Sequence, residues 1–538
     1  MQTVSDNWKS MHKRTLLNES FVEVSMDIGD PESIADAKQV GTQDNGSVYI
    51  SNSTELASGV EKTPTPYCTL EQNLWCLDGK RKAIPESDFG DNCYVSDVLS
   101  DDVCIFSEKQ PIITIKFSKV FNKAIPGVTI TWSKTYGEFA DTFTVIAYNG
   151  DTVIVEKEVV GNRSIKSMVL TDINGYDKIT IIIKKWCLPN HRARVEEIFV
   201  GLNKVYGKAD LFDYSHSQSV DPVSTSLPKV EIRFSINNVE GEYNPYNTDG
   251  LAKYLMERQE IKARYGLKMD DNSIEWIKGG TFYLSEWYAK QNGMTADFTA
   301  RDKLEFMSDI YHDDVSAITE RSLYDLALAI LNTSDLPDTS DGTAKWVIDE
   351  SLKAIKTKAP LPEDTRANCL QLIANAGQCV LYQDRSGTLH IEPLKIEDTD
   401  YKIDSFNSYT KSEITLSKPI KQVKVKVYTY TIGTNGIERK TVDVIYPETG
   451  YLNAVGEIIT IDNPLITHAS IALSVGSWLA THLGHRMALD SSWRADVRLD
   501  ALDIVTNENN YNTNRVRMTD VEFKYNGAFR GTGKGKVI

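Results

Sequence analysis

KQVKVKVYTYTI, residues 421–432, alternates Val423, Val425, Val427 and Thr429 with Lys424, Lys426, Tyr428 and Tyr430. Successive side chains of an extended chain point to opposite faces, so this spacing predicts a strand with one face buried and the other wet. Asn435-Gly436 then closes a hairpin, because both residue types accept the positive φ of a tight turn. The stretch sets the class as β, and its signature recurs through most of the chain.

Upstream, short β-type runs occupy Ile112 to Phe117, Val128 to Trp132, Phe143 to Tyr148, Val153 to Val160, Ile179 to Ile183 and Val195 to Val200. Asn149-Gly150 gives a second hairpin signal of type I′. Regular short strands with polar turns predict a jelly-roll β-sandwich over 67–201. Before it, 41–66 is dense in Gly, Ser, Thr, Asp and Pro and reads as linker. A β-rich stretch around Phe21, Val22 and Val24 follows a polar N-terminal segment and opens the fold. KVEIRFSIN (229–237), EIKARYGLKM (260–269) and GGTFYLSEWYA (279–289) form another β-rich block, with a short helix expected at Leu251 to Arg258.

Helical spacing enters at Ser322. Ser322-x-x-Asp325 makes a capping box, and Leu323, Leu326, Ala327, Ile330 and Leu331 follow on one face. A second helix runs from about Thr365 to Ala376 and stops at Gly377, whose missing Cβ suits a C′ residue; a hairpin follows around Asp384 to Gly387. A third is expected over roughly 465–489, then late strands in 515–527. The closing RGTGKGKVI reads as a tail unless a neighbouring chain holds it. The division is 1–32, 33–66, 67–201, 202–310, 311–398 and 399–538. The fold class is multidomain, mainly β with α+β: β-barrel domains, one small α+β domain and the inserted jelly-roll sandwich.

At 538 residues the chain is long enough for about three to five domains. Its 41% apolar and 25% charged content matches globular proteins and argues against disorder, collagen or a coiled-coil rod. A net charge of −16, from 59 Lys and Arg against 75 Asp and Glu, repels phosphate backbones and makes nucleic acid a poor partner. The first twenty residues lack a secretory h-region, and no run of about 18 apolar residues spans a membrane; the expectation is a soluble chain made in the cytosol. Seven cysteines with no Cys-x-x-Cys pair read as reduced, packed thiols, although Cys68, Cys76, Cys93, Cys104 and Cys187 share a region that could bridge in an oxidising exterior.

H-E-x-x-H, G-x-S-x-G, Walker A and G-x-G-x-x-G are all missing, so neither catalysis nor a cofactor is indicated. His482 and His485, with His468 further up the same helix, can be drawn as metal ligands, but histidines also suit a helix C-terminus, and the structural reading is favoured. Asp490, Asp496, Asp500 and Asp503 suggest a calcium loop, yet lack its Gly and Glu and sit beside Arg494 and Arg498; local ion pairs are favoured. Glu286 and Asp297 form one drawable glycosidase pair among 75 acidic residues. In the sandwich, Trp132, Tyr136, Phe139, Trp186, His191 and Arg192 lie near strand ends, where aromatic faces and hydrogen-bonding neighbours receive sugar rings; aromatics also fill sandwich cores. Of these, Trp132 and Trp186 are the preferred sugar platforms, with Tyr136, His191 and Arg192 beside them.

Several stretches, taken in order, resemble the tail hub, or tail-associated, proteins of long-tailed phages and prophages of Gram-positive bacteria. They are 219–238 with YNPYN (243–247), GGTFYLSEW (279–287) with FTARDKLEFM (298–307), 368–394, and SSWRADVRLDALDIV (491–505) with VEFKYNGAFRGTG (521–533). The resemblance implies a ring-shaped, usually trimeric baseplate hub of β-barrel and α+β domains, coaxial with the tail tube at the virion tail tip. Its partners would be further copies of itself, the tail tube or distal tail protein, the tape measure, and fibres or a receptor-binding protein. Some members carry a C-terminal peptidase or glycosidase domain; this chain stops after the hub-like part, which points to a structural and non-enzymatic role. PIITIKFSK (111–119), TFTVIAYNGD (142–151) and RARVEEIFVG (192–201) are similar to galactose-binding, discoidin-like sandwiches, here inserted into a loop of the first hub barrel. Such modules bind glycans, which implies host cell-wall polysaccharide as an accessory ligand and host attachment as its use. A wall-binding adhesion protein and a tail-associated wall hydrolase are the alternatives.

Overall fold

The computed structural model describes residues 1–14, 18–37, 39–42, 56–57, 66–77, 79, 81–83, 94–223, 225–290, 293–313, 318–337, 343–433, 436–509 and 511–538. The protein is multidomain and mainly β, with its apolar residues gathered in three cores.

The first core lies on a thirteen-stranded sheet. Its hydrogen-bonded order is Leu202–Tyr206, Ser20–Ile28, Glu260–Lys268, Ile274–Ala289, Thr295–Arg301, Lys229–Asn237, Leu211–Ser219, Thr513–Tyr525, Phe529–Val537, Met487–Trp493 and Ser408–Leu416; Ile504–Glu508 also pairs with Thr513–Tyr525 and carries Asp398–Ile403. Strands from both ends of the chain thus share one core, which includes Val24, Tyr265, Phe298, Trp493 and Phe523. Ile28 pairs with Leu202, so the residues between them leave and re-enter the sheet at neighbouring strands. Helix α1 (Asp6–His12), capped by Ser5, lays Trp8 and Met11 on this core. Its short polar sequence had given no sign of it.

The intervening residues form the sandwich. A five-stranded sheet, Gln39–Thr42, Ile112–Phe121, Tyr176–Trp186, Ala140–Asn149 and Thr152–Val159, shares one core with the three-stranded sheet Glu197–Phe199, Ile125–Thr131 and Lys166–Ile173. The stretch expected as linker contributes here: helix α2 (Pro31–Asp36) precedes Gln39–Thr42, and Leu56 and Ala57 are buried in the sandwich core. In the 149–150 hairpin only Gly150 takes positive φ, 59°, and it is the first of two loop residues, which is the type II′ pattern and not the expected I′.

The third core joins helix α3 (Leu323–Asn332) and helix α4 (Arg366–Ala376) to the opening hairpin of the sequence. Ile420–Gly433 pairs with Gly436–Tyr446 on one side and Glu457–Ile461 on the other, while helix α5 (Ala469–Gly484) covers one face. Val423 and Val425 are buried as the alternation requires. Past Val427 the sides exchange: Thr429 is exposed and Tyr428 is buried, its hydroxyl on Asp462. Asn435 lies outside the described residues. Because Ile420, Val425, Leu465 and Val475 pack with Leu326 and Ile373, this core crosses the expected boundary between 398 and 399. Strand periodicity reports which face is buried and carries no information on which distant helix buries it.

Four local expectations are corrected. Leu251 to Arg258 holds only a 3-10 turn, Ala252–Tyr254; Leu251, Tyr254 and Leu255 are buried at helix-like spacing, but Arg258 takes φ 72° and turns the chain into the next strand. Helix α5 is shorter than 465–489, since Leu465 and Ile466 are buried before it and Met487–Trp493 is a strand after it. Gly377 ends α4 with an ordinary φ of −86°, and the left-handed residue is Gln378 at 57°. A Cβ on Gly377 would collide with Leu352, which accounts for the glycine. The closing residues are no tail: Phe529–Val537 pairs with Thr513–Tyr525 and Met487–Trp493 within the same chain. Gly531, Gly533 and Gly535 form its buried face, so the period-two signal is written in glycine and not in apolar side chains.

Candidate functional site

The sandwich residues singled out for sugar binding converge, but inside the fold. Trp132 and Trp186 are both 0% exposed, with ring centroids 6.0 Å apart at 83°. Trp132 Nε1 donates to Ser167 Oγ at 2.8 Å and Trp186 Nε1 to Glu138 Oε2 at 2.9 Å. An indole without exposed surface cannot stack on a ligand, so both lose the proposed platform role. The other oxygen of Glu138 lies 2.8 Å from His191 Nδ1, and Arg194 reaches Glu138 at 3.4 Å and also pairs with Glu71. Glu71 accepts the Arg192 backbone N–H at 2.9 Å, while Arg192 donates from its side chain to the Ser96 carbonyl at 2.7 Å.

This buried network holds the segment around Glu71 to the end of the sandwich. Burial opposes charge on His191, but the hydrogen bond and charge of Glu138, then Glu71, outweigh it and hold its pKa above the ordinary value. Burial likewise opposes the Glu71 carboxylate, and Arg194 outweighs it, leaving that pKa low. Tyr136 and Arg192 are half-buried, and one face of the Tyr136 ring carries the Arg194 guanidinium at 4.5 Å.

The remaining clusters resolve into structural roles. Glu286 and Asp297 lie on adjacent strands, opposite Thr299 and Tyr288; Glu286 pairs with Arg301 at 3.4 Å and Asp297 accepts from Ser235. Asp496 binds Arg498 at 2.5 Å, Asp500 binds Arg385 at 2.7 Å, and Asp503 accepts from the Met1 ammonium at 2.7 Å. His482 and His485 sit at the C-terminal end of α5, and His468 occupies the N-cap position at the opposite end without a side-chain capping bond. Burial, then Arg517, pushes His482 down to about 4 and His485 also downward, with Lys536 adding to both; a basic setting disfavours a cation there. Among the described residues no group of three or more His, Cys, Asp or Glu is placed to hold a metal, and no helix is long and apolar enough to cross a membrane.

Sequence reading missed the seam between the first and third cores. The 384–387 hairpin inserts Arg385, 4% exposed, into it, where the guanidinium donates to Asp500 and to the carbonyls of Lys278, Val497 and Leu499 at 2.7–3.0 Å. His216 meets the Tyr265 hydroxyl at 2.8 Å, and Gln218 bridges His216 and Asp500. Burial, then the Arg385 charge, pushes His216 down to about 3. A cavity of about 290 Å³ lies beside this seam. A second recess of about 420 Å³ separates the sandwich from the long sheet, lined by Asp27, Lys166, Glu197, Asn203 and Trp276 among others. Strand patterns named the elements, but nothing local marked Arg385 or His216 as partners across the fold.

No family model and no curated protein matches the chain. Among solved structures it is similar to the tail protein from Neisseria meningitidis MC58, at 11% identity and a TM-score of 0.44, over 62% of this chain and 94% of that one. It is similar to the 43 kDa tail protein of prophage MuSo2 from Shewanella oneidensis, at 13% and 0.40, over 62% and 95%. The prophage tail protein gp18 from Listeria monocytogenes EGD-e gives 11% and 0.39, over 62% and 91%.

Proposed function

We propose that the chain is a structural virion protein: the tail-tip hub of a phage or phage-derived particle, a homotrimer coaxial with the tail tube that joins it to baseplate or fibres. One observation carries the reading. The pairing of Ile28 with Leu202 makes the whole sandwich an excursion from a two-strand unit of the long sheet, as a sandwich inserted into a hub barrel requires. The seam around Arg385 supports it too, since its charged groups engage one another and suit rigid joining. The test is to image particles from cells making the chain and to sediment the purified full chain. Threefold density at the tail tip and a trimer in solution are expected; a monomer absent from particles overturns the reading.

An accessory glycan role for the sandwich rests on Tyr136 and Arg192, the half-buried members of the set. Binding of the full chain to host cell-wall polysaccharide, weakened in Y136A and R192A, is the expected result. Absence of binding to every wall fraction removes it.

A further inference from the structure

Arg517 is a buried cation that meets no anion. It lies in the strand Thr513–Tyr525 and is 5% exposed. Its Nη2 donates to the Lys395 carbonyl at 3.3 Å, while its Nε is buried with no acceptor. Among the described residues no carboxylate, that of Ile538 included, comes within ion-pair distance of it. A guanidinium cannot shed its proton to escape the cost of burial, so it needs a partner.

The surroundings add cations and not relief. Lys536 stands directly opposite Arg517 on the next strand, a like-charge pair that is unfavourable in a sheet. The same row continues to Ile504 on one side and Ala488 on the other, whose side chains accept nothing. The end of α5 brings His482 and His485 to a recess that Arg517, Lys536 and Thr519 also line. That recess offers about 20 Å³ to the centre of a water-sized group, more than the roughly 10–15 Å³ that seats one water. Its open side is marked by Lys536 and Asp221, which are 31% and 42% exposed. Asp221, the one carboxylate side chain lining it among the described residues, lies 3.7 Å from Lys536 and leaves Arg517 unbalanced. The negative end of α5 supplies only about half an elementary charge.

We propose that this recess binds one tetrahedral oxyanion of the phosphate or sulfate class, held by Arg517 and Lys536 from the sheet and by His482 and His485 from α5. Donors from two strands and a helix end surround more than the two oxygens of a carboxylate, whereas a tetrahedral anion presents an oxygen to each side. A neutral imidazole still has one N–H to give. The low pKa of His482, due first to burial and then to Arg517, His485 and Lys536 with Asp221 opposing, reports the same positive field. The inference stands apart from the hub reading and does not fall with it.

Equilibrium dialysis of radiolabelled inorganic phosphate against the full chain tests it, with R517M and K536Q as variants and circular dichroism melting to check that each folds. The expected result is saturable binding of one phosphate per chain at millimolar concentration or tighter, weakened at least about tenfold in R517M and less in K536Q. Sulfate should displace the phosphate, and acetate at equal concentration should not. Added phosphate should raise the melting temperature of wild type further than that of either variant, the shared part being the general effect of the salt. Wild type without saturable binding overturns the proposal whatever the variants do. Undiminished binding by both folded variants overturns it too, as does displacement by acetate as strong as by sulfate, which would assign the recess to a carboxylate.

Discussion

Arg385 and Asp500, 115 residues apart in sequence, meet at 2.7 Å, Nε donating to Oδ1. The pair ties the third core to the first, because the same guanidinium also holds carbonyls of Lys278, Val497 and Leu499. Breaking a buried pair on one side typically costs about 3–5 kcal/mol, since the stranded charge keeps its desolvation penalty. R385A should lose stability of that order, and R385K should recover only part of it, because an ammonium cannot reproduce the guanidinium fork. Urea unfolding checks both; an R385A midpoint equal to wild type would contradict the role.

His216 sets a pH dependence. Its folded pKa lies near 3 against an ordinary 6.5, so the unfolded chain takes a proton that the fold refuses. Stability from this residue is complete above about 6.5 and falls as the pH drops toward 3, by up to about 1.4 kcal/mol per pH unit. His12, His482 and His485, also lowered by burial, act in the same direction. Asp302, raised to about 7 by burial, acts oppositely, favouring the fold as it protonates. The His216→Gln variant leaves those other groups in place, so its stability deficit should shrink steadily from pH 7 to pH 5. Parallel pH profiles for the two proteins would refute the assignment.

The sandwich network predicts a distinction between binding and folding. Trp186→Ala removes a fully buried indole and should cost about 3–5 kcal/mol. Loss of any ligand in that variant would therefore report unfolding. Glu138→Ala leaves His191 without its carboxylate and Arg194 with Glu71 alone, and should loosen the 66–77 segment, read as new protease cleavage there, with Glu138→Gln milder. Identical cleavage patterns in wild type and E138A would exclude the pinning role.

Gly533 offers a packing test. A Cβ there would stand 2.5 Å from the Asp520 carbonyl oxygen and 2.8 Å from Met518 Cε. Gly533→Ala should cost about 1–3 kcal/mol through overpacking, measured by thermal melting. An unchanged melting temperature would show that the strand shifts freely.

Local physics was readable where one segment carries its own signal. Ser322 caps α3 by accepting the Asp325 N–H at 3.0 Å, and Lys229–Asn237 is a strand over the expected residues. The closing strand was missed because three glycines hold the inward positions between Phe529 and Val537, leaving no apolar alternation to count. Trp132 and Trp186 were placed at strand ends correctly but on the wrong side of the surface, since a strand end does not say where the neighbouring sheet lies. Strand order and shared cores depend on residues hundreds of positions apart, as with His216 opposite Phe523, and no window of sequence contains both.

The place of Ser20–Ile28 between Leu202–Tyr206 and Glu260–Lys268 also has a consequence at the ribosome. At roughly 5–20 residues per second, this first strand waits on the order of 10–50 s for its second neighbour to be synthesised. The sandwich, complete by then, matures as an island in between. Nascent copies on one messenger therefore expose Val22, Val24 and Met26 together, and a host whose chaperones cover that interval would be the better producer.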